Sequence, residues 1–184
     1  MFIQTEATPN PATIKFLPGV MVLETGAMDF SRAGEAGPSP LAERLFALQG
    51  VVRVFLGADF ISVSKAEDTD WAMLKPMVLA VLMEHFSTGQ PVIRAGYVAP
   101  VKPDADLDNE IVIQIKELIE TRVRPMVMMD GGDIVFDSFE DGIVYLEMRG
   151  ACAGCPSSTA TLKAGIENML KHFIPEVREV RPAA

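Results

Sequence analysis

Only two of the 184 residues are cysteine, and they stand two residues apart at Cys152 and Cys155. So few thiols exclude a disulfide framework and point to a compartment that keeps thiols reduced. Basic runs are also missing. The 16 lysines and arginines are scattered among 25 acidic residues, for a formal charge of −9, and this leaves no electrostatic footprint for a phosphate backbone. Nucleic acid is therefore excluded as a partner. The most apolar stretch, from Met73 to Met83, is broken by Lys75-Pro76 and falls short of the roughly 20 residues that span a bilayer, so no membrane is expected. The start, Met1-Phe2-Ile3-Gln4-Thr5-Glu6, carries neither a basic export signal nor an Arg-rich transit bias. From this we expect a cytoplasmic, bacterial protein with no presequence.

What is present divides into two halves. The apolar content of 49% is enough for two small cores of roughly 80 to 100 residues each. In the first half, Ile14 to Leu17 and Val20 to Glu24 read as extended segments between the turn signals Pro9-Asn10-Pro11 and Pro18-Gly19. Ser39 is placed to cap a helix with Pro40 in its first position and Leu41, Leu45 and Leu48 on one face, stopping near Gly50. A hairpin is predicted from Val51 to Leu56 and Phe60 to Ser64, and a helix from Asp70 to about Phe86. Trp71, Phe55, Phe60 and Phe86 read as packing for this half. A Pro/Gly-rich linker over residues 89–107 separates domain 1–88 from domain 108–184.

In the second half, Asp108 is read as the cap of a helix with Ile111, Ile115, Leu118 and Ile119 on one face, ending before Pro125. Two strands, Ile134 to Phe139 and Ile143 to Met148, turn at Glu140-Asp141-Gly142 and lead into the cysteines. Pro156 opens a second helix with a stripe of Leu162, Ile166, Met169, Leu170 and Phe173, and Val177 to Val180 closes the sheet. Strands arriving in hairpins make both domains α+β, with the second packing helices on a small hairpin-containing sheet.

The chemistry centres on Gly150-Ala151-Cys152-Ala153-Gly154-Cys155-Pro156, where two thiols share a small-residue loop between a strand end and a helix start. The helix's positive end favours thiolate, and Gly150 and Gly154 permit close backbone approach. Four thiolates are usual for an iron–sulfur cluster or a structural zinc, and one chain supplies two, so a closed site requires two chains. A lone C-x-x-C is equally consistent with cluster, zinc, dithiol redox or structural use; redox use is the weaker reading, because Pro156 sets both cysteines ahead of the helix. Ser157 and Ser158 read as helix caps, Asp130-Gly131-Gly132-Asp133 as a structural turn, and His85 and His172 as surface or helix-end residues. Met126, Met128 and Met129 read as core filling.

Taken together, Asp130-Gly131-Gly132-Asp133, Phe139-Glu140-Asp141-Gly142-Ile143-Val144 and Gly150-x-Cys152-x-x-Cys155-Pro156-Ser157-Ser158 resemble the NifU-like C-terminal domain. Thr8-Pro9-Asn10-Pro11, Leu23-Glu24-Thr25, Met28-Asp29-Phe30, Ser39-Pro40-Leu41-Ala42 and Asp59-Phe60-Ile61 resemble the N-terminal domain of Nfu-type scaffolds, most of all the mitochondrial type. The resemblance implies a non-enzymatic carrier in which Cys152 and Cys155 of two protomers hold a 4Fe-4S cluster. Such a homodimer would receive the cluster from upstream assembly machinery and deliver it to apo-proteins such as lipoyl synthase and aconitase-like enzymes. The N-terminal domain would bind no cluster and would help to recognise clients. The residues alone keep a thiol–disulfide oxidoreductase and a zinc-bridged dimer as alternatives.

Overall fold

The computed structural model describes residues 2–98, 109–154 and 156–183. The chain separates into two compact units, Met1–Ala99 and Pro100–Ala184, and both are α+β, as the hairpin-rich sequence predicts.

In the first unit, strands β1 (Gln4–Ala7), β2 (Thr13–Leu17), β3 (Met28–Phe30), β4 (Val51–Leu56) and β5 (Ile61–Lys65) form one antiparallel sheet in the order β1-β2-β5-β4-β3. Helices α1 (Pro40–Phe46) and α2 (Trp71–Ser87) bring Leu41, Leu45, Leu74, Val78 and Leu82 to Phe16, Val54, Leu56, Ile61 and Val63, all buried. Ser39 caps α1 by accepting from the Ala42 N–H at 3.1 Å, while its hydroxyl donates to the Val92 carbonyl at 2.6 Å. Val92 and Ile93 pack on this same core, and Arg94 pairs with Glu43 and donates to the Gly37 carbonyl. The early part of the expected linker is thus tied to the first unit. Residues 99–108, including Asp108, lie outside the described residues.

Two expectations for this unit need correction. Residues 20–24 form no strand; instead the Val22 and Leu23 N–H groups both donate to the Ala58 carbonyl, at 2.7 and 3.2 Å, as the segment folds over the β4–β5 turn. His85 does stand in the last turn of α2, as a helix-end residue, but not at the surface: it is fully buried, and among the described residues neither ring nitrogen has a hydrogen-bond partner of good geometry. Burial, and secondarily the Arg44 guanidinium, push its pKa below the ordinary 6.5, against a weaker pull from the Gln90 backbone. The unfolded chain therefore takes up this proton first as pH falls. The stability gained by burying a neutral imidazole is complete above about pH 6.5 and is lost as pH drops through that value toward the lower folded pKa. Melting temperature should fall between about pH 7.5 and about pH 5.5, and His85→Leu should flatten that slope. A slope unchanged in the variant would assign the pH dependence to other groups.

In the second unit, α3 (Glu110–Leu118) is capped by Asn109, whose side chain accepts from the Ile111 N–H. The helix does not end before Pro125. It widens into a π turn at Ile119–Val123 and continues as α4 (Arg124–Met129). Pro125 has no N–H to donate one turn back; at this junction the Arg124 N–H reaches the Ile119 carbonyl, five residues behind, so the chain stays helical across the proline. Val112, Ile115, Ile119, Val123 and Val127 form the buried face.

Strands β6 (Gly132–Glu140) and β7 (Ile143–Gly150) pair antiparallel, and β8 (Glu179–Pro182) joins β7 in parallel. The expected Asp141-Gly142 turn has both residues at positive φ, 51° and 82°, the combination that matches a tight hairpin's twist. Helix α5 (Pro156–Phe173) packs Ile166 and Leu170 against Ile134, Val144 and Leu146. Phe173 is half exposed, with the Arg122 guanidinium 4.9 Å from its ring centre, and Ile174 takes the buried place expected of it. Among the described residues no helix is long and apolar enough to cross a membrane.

Candidate metal centre

Helix α4 and strand β6 meet at Asp130-Gly131-Gly132-Asp133. Gly131 takes a positive φ of 82°, turning the chain so that the Gly131 carbonyl accepts from the Ala151 N–H at 3.2 Å. This bond stitches the end of α4 to the loop that follows β7. At the next position a side chain would not fit: a Cβ on Gly132 would lie 2.6 Å from the Cys152 Sγ and 2.7 Å from the Arg149 carbonyl oxygen. Gly132 therefore forms the wall against which the Cys152 thiol rests.

Asp133, only 1% exposed, is held by both arms of the Arg124 guanidinium at 2.8 and 2.9 Å and also accepts from the Ile134 N–H at 2.8 Å. Arg124 reaches Glu120 as well, at 2.6 Å. The arginine's pKa is raised by these carboxylates, so it stays charged at any physiological pH. A bidentate guanidinium–carboxylate pair fixes direction as well as distance, and this one anchors the start of β6 beside the cysteine loop.

Cys152 is 8% exposed and belongs to the second unit's apolar core. Its loop is bent by Gly150 and Gly154, at φ 61° and 77°, and the Thr159 hydroxyl in the first turns of α5 donates to the Cys152 carbonyl at 3.2 Å. The α5 N-terminus thus stands behind the loop, where its dipole favours negative charge. In the metal-free chain that influence is outweighed: burial, then the Asp130 and Asp133 carboxylates, push the Cys152 thiol up to about 12. At neutral pH the group is a protonated thiol, and a cation would have to displace that proton to be bound there.

Cys155 lies outside the described residues, as do the side chains of Pro156, Ser157 and Ser158. His85 is buried in the first unit and His172 lies in the last turn of α5 beside Phe173, with ring centres 5.0 Å apart; neither approaches the cysteine loop in sequence. No group of three or more His, Cys, Asp or Glu side chains able to hold a metal occurs among the described residues. Sequence reading named Cys152 and treated the Asp130–Asp133 stretch as a turn. The contact of Gly132 with the sulfur and the locking of Asp133 by Arg124 are not legible there; the one signal is an arginine nine residues ahead of a paired-glycine aspartate.

Residues 3–89 match the family described as "Scaffold protein Nfu/NifU N terminal" and residues 115–181 match the "NifU-like domain". Over 184 aligned residues the sequence is 52% identical to NifU-like protein 5, mitochondrial, of Arabidopsis thaliana, covering 98% of this chain and 67% of that protein. The chain belongs to the Nfu/NifU-like iron–sulfur scaffold family. A further relative, the NFU1 iron-sulfur cluster scaffold homolog, mitochondrial, of Drosophila persimilis, is 50% identical, with 98% of this chain and 64% of that protein covered. The solution structure of a NifU-like protein from Saccharomyces cerevisiae is alike at 25% identity, over 52% of this chain and 86% of that one, with a TM-score of 0.47.

The chain spans about two thirds of the length of the curated relatives it matches. Those relatives are mitochondrial by name, which overturns the expectation of a bacterial cytoplasmic protein. That expectation rested on the first residues, and an organelle address is carried by a separable segment with no part in the fold.

Proposed function

We propose that this Nfu/NifU-like chain carries a 4Fe-4S cluster between two copies of itself, ligated by Cys152 and Cys155 of each, and passes it to apo-proteins. The observation that carries the reading is Cys152 itself. It is a buried thiol at the head of an 18-residue helix, in a chain that owns two cysteines where a cluster wants four thiolates. The cluster is cargo. Iron supplies the positive charge that offsets the burial and the flanking carboxylates of Cys152, and loss of iron returns the group to a neutral thiol. An incoming client thiolate that displaces Cys152 is therefore helped by reprotonation of the sulfur it leaves behind.

The same burial argues against the oxidoreductase alternative. A dithiol catalyst works through an exposed, depressed-pKa thiolate, and Cys152 is neither exposed nor depressed. A zinc-bridged dimer would share the ligands and would be colourless. We assign cluster binding to the domain 108–184 and client recognition to the domain 1–88, which holds no cysteine. Apo forms of lipoyl synthase and aconitase-like enzymes are the acceptors expected from the family likeness, and the protein acts as a carrier without turnover of its own.

The test is transfer. Chain reconstituted with iron and sulfide, then mixed with apo-aconitase and a chelator that captures free iron, should restore aconitase activity, and Cys152→Ala should restore none. Equal restoration by the variant, or by free iron and sulfide under the same chelator, would defeat the proposal.

A further inference from the structure

The first unit carries a surface that the cluster chemistry leaves unused. At one end of its sheet, the segment before β1, the end of β2 and residues 19–24 surround an open groove of about 840 Å³, within the size range of clefts that hold ligands. Its apolar lining is unusually bare: Phe2 is 81% exposed, Met21 68% and Val20 41%, with Leu17 forming part of the floor. Its floor is held in place, because residues 22 and 23 are both hydrogen-bonded to Ala58. Its charge is of one sign. Glu24 and Asp59, both exposed, line it, and no lysine or arginine does among the described residues. The basic side chain of the adjoining strand, Lys15, is engaged by Glu6 at 3.5 Å and lies 4.7 Å from the Phe60 ring centre.

We propose that this groove docks a segment of a partner protein in which a bulky apolar side chain is flanked by lysine or arginine. The bare Phe2, Val20 and Met21 surface takes the apolar side chain, and the Glu24 and Asp59 carboxylates select the flanking cations. A second copy of this chain suits the groove poorly, since each copy brings a net charge of −9 to an already acidic surface. The assignment rests on the reading of the first unit as the part that recognises clients, and it specifies how: apolar anchor and basic flank. It requires no cluster, so its failure would leave the carrier reading standing.

The experiment uses the full, metal-free chain and a synthetic peptide with a central leucine–phenylalanine pair between two lysines on each side. A matched peptide with glutamates in place of the lysines, and another with alanines in place of the leucine and phenylalanine, are the controls. Titration followed by backbone amide shifts should move residues 2–6, 17–24 and 58–59 for the basic apolar peptide alone. Glu24→Lys with Asp59→Lys should weaken binding by roughly tenfold or more at low salt, as should Phe2→Ala with Met21→Ser. All four sites are on the surface, so an unchanged circular dichroism spectrum confirms that the variants fold. Shifts spread over the molecule, equal binding of the alanine control, or self-association through this face in sedimentation would overturn the proposal.

Discussion

Alanine at position 132 is expected to cost the chain most of its cluster binding while leaving the first unit untouched. The added methyl would sit 2.6 Å from the Cys152 sulfur and 2.7 Å from a backbone oxygen of β7, so the sulfur and the end of the β6–β7 pair must both move. The backbone contact makes relief by a side-chain rotation impossible. Overpacking of this kind costs about 1 to 3 kcal/mol, a tolerable loss for a domain, whereas ligand distances in a metal site must hold within about 0.2 Å. Iron retained per chain after reconstitution and desalting should drop roughly tenfold or more, with the far-ultraviolet dichroism close to that of the native chain. Full iron retention would show that Gly132 has no part in placing the thiol.

Leucine in place of Arg124 should be the most destabilising single change in the second unit. It strips the charged partner from a carboxylate that is 1% exposed, and such orphaned buried charges cost about 3 to 5 kcal/mol, a large share of the 5 to 15 kcal/mol that typically holds a domain together. Denaturant unfolding should show the second unit melting early and the first unchanged. Asp133→Asn added to Arg124→Leu should recover part of the loss, because the charge left behind is then gone. Lysine at 124 should recover less than a native pair gives, since one ammonium cannot reproduce the two-armed contact at 2.8 and 2.9 Å. If Arg124→Leu unfolds at the native midpoint, the pair is not what anchors β6.

Local chemistry made much of this fold legible. Ser39-Pro40 and Asp70 announce helix starts because capping is a matter of a few adjacent atoms, and Asp141-Gly142 fixes a hairpin because both residues tolerate positive φ. The failures fall where distant parts decide. Residues 20–24 look extended, yet the Val22 and Leu23 N–H groups are claimed by the Ala58 carbonyl in a hairpin turn distant in sequence, and β1 and β3 are short edge strands with little pattern of their own. Pro125 reads as a stop, and the chain passes it by widening a turn, a choice driven by the apolar face that continues to Val127. His85 is legible as a helix-end residue, but not its burial, which follows from its place in α2 in line with Leu74, Val78 and Leu82.

At the candidate site the same division holds. The two cysteines and the paired glycines stand out in sequence, because their residue types are scarce or conformationally special. The contact of Gly132 with Cys152 does not, since it joins positions twenty residues apart across a strand pair whose register is a tertiary property. Nor does the Arg124–Asp133 pair, whose arginine stands where the π turn passes into α4.

The central claim is that one cluster is shared by two chains through Cys152 and Cys155. Native mass measurement of the anaerobically reconstituted chain, with iron, sulfide and zinc determined on the same sample, tests it most directly. The account predicts a dimer carrying one 4Fe-4S unit, about two irons and two sulfides per chain, free of zinc and dissociating to metal-free monomers in Cys152→Ala. A monomer that keeps a whole cluster on dilution, or a colourless zinc dimer, would contradict it.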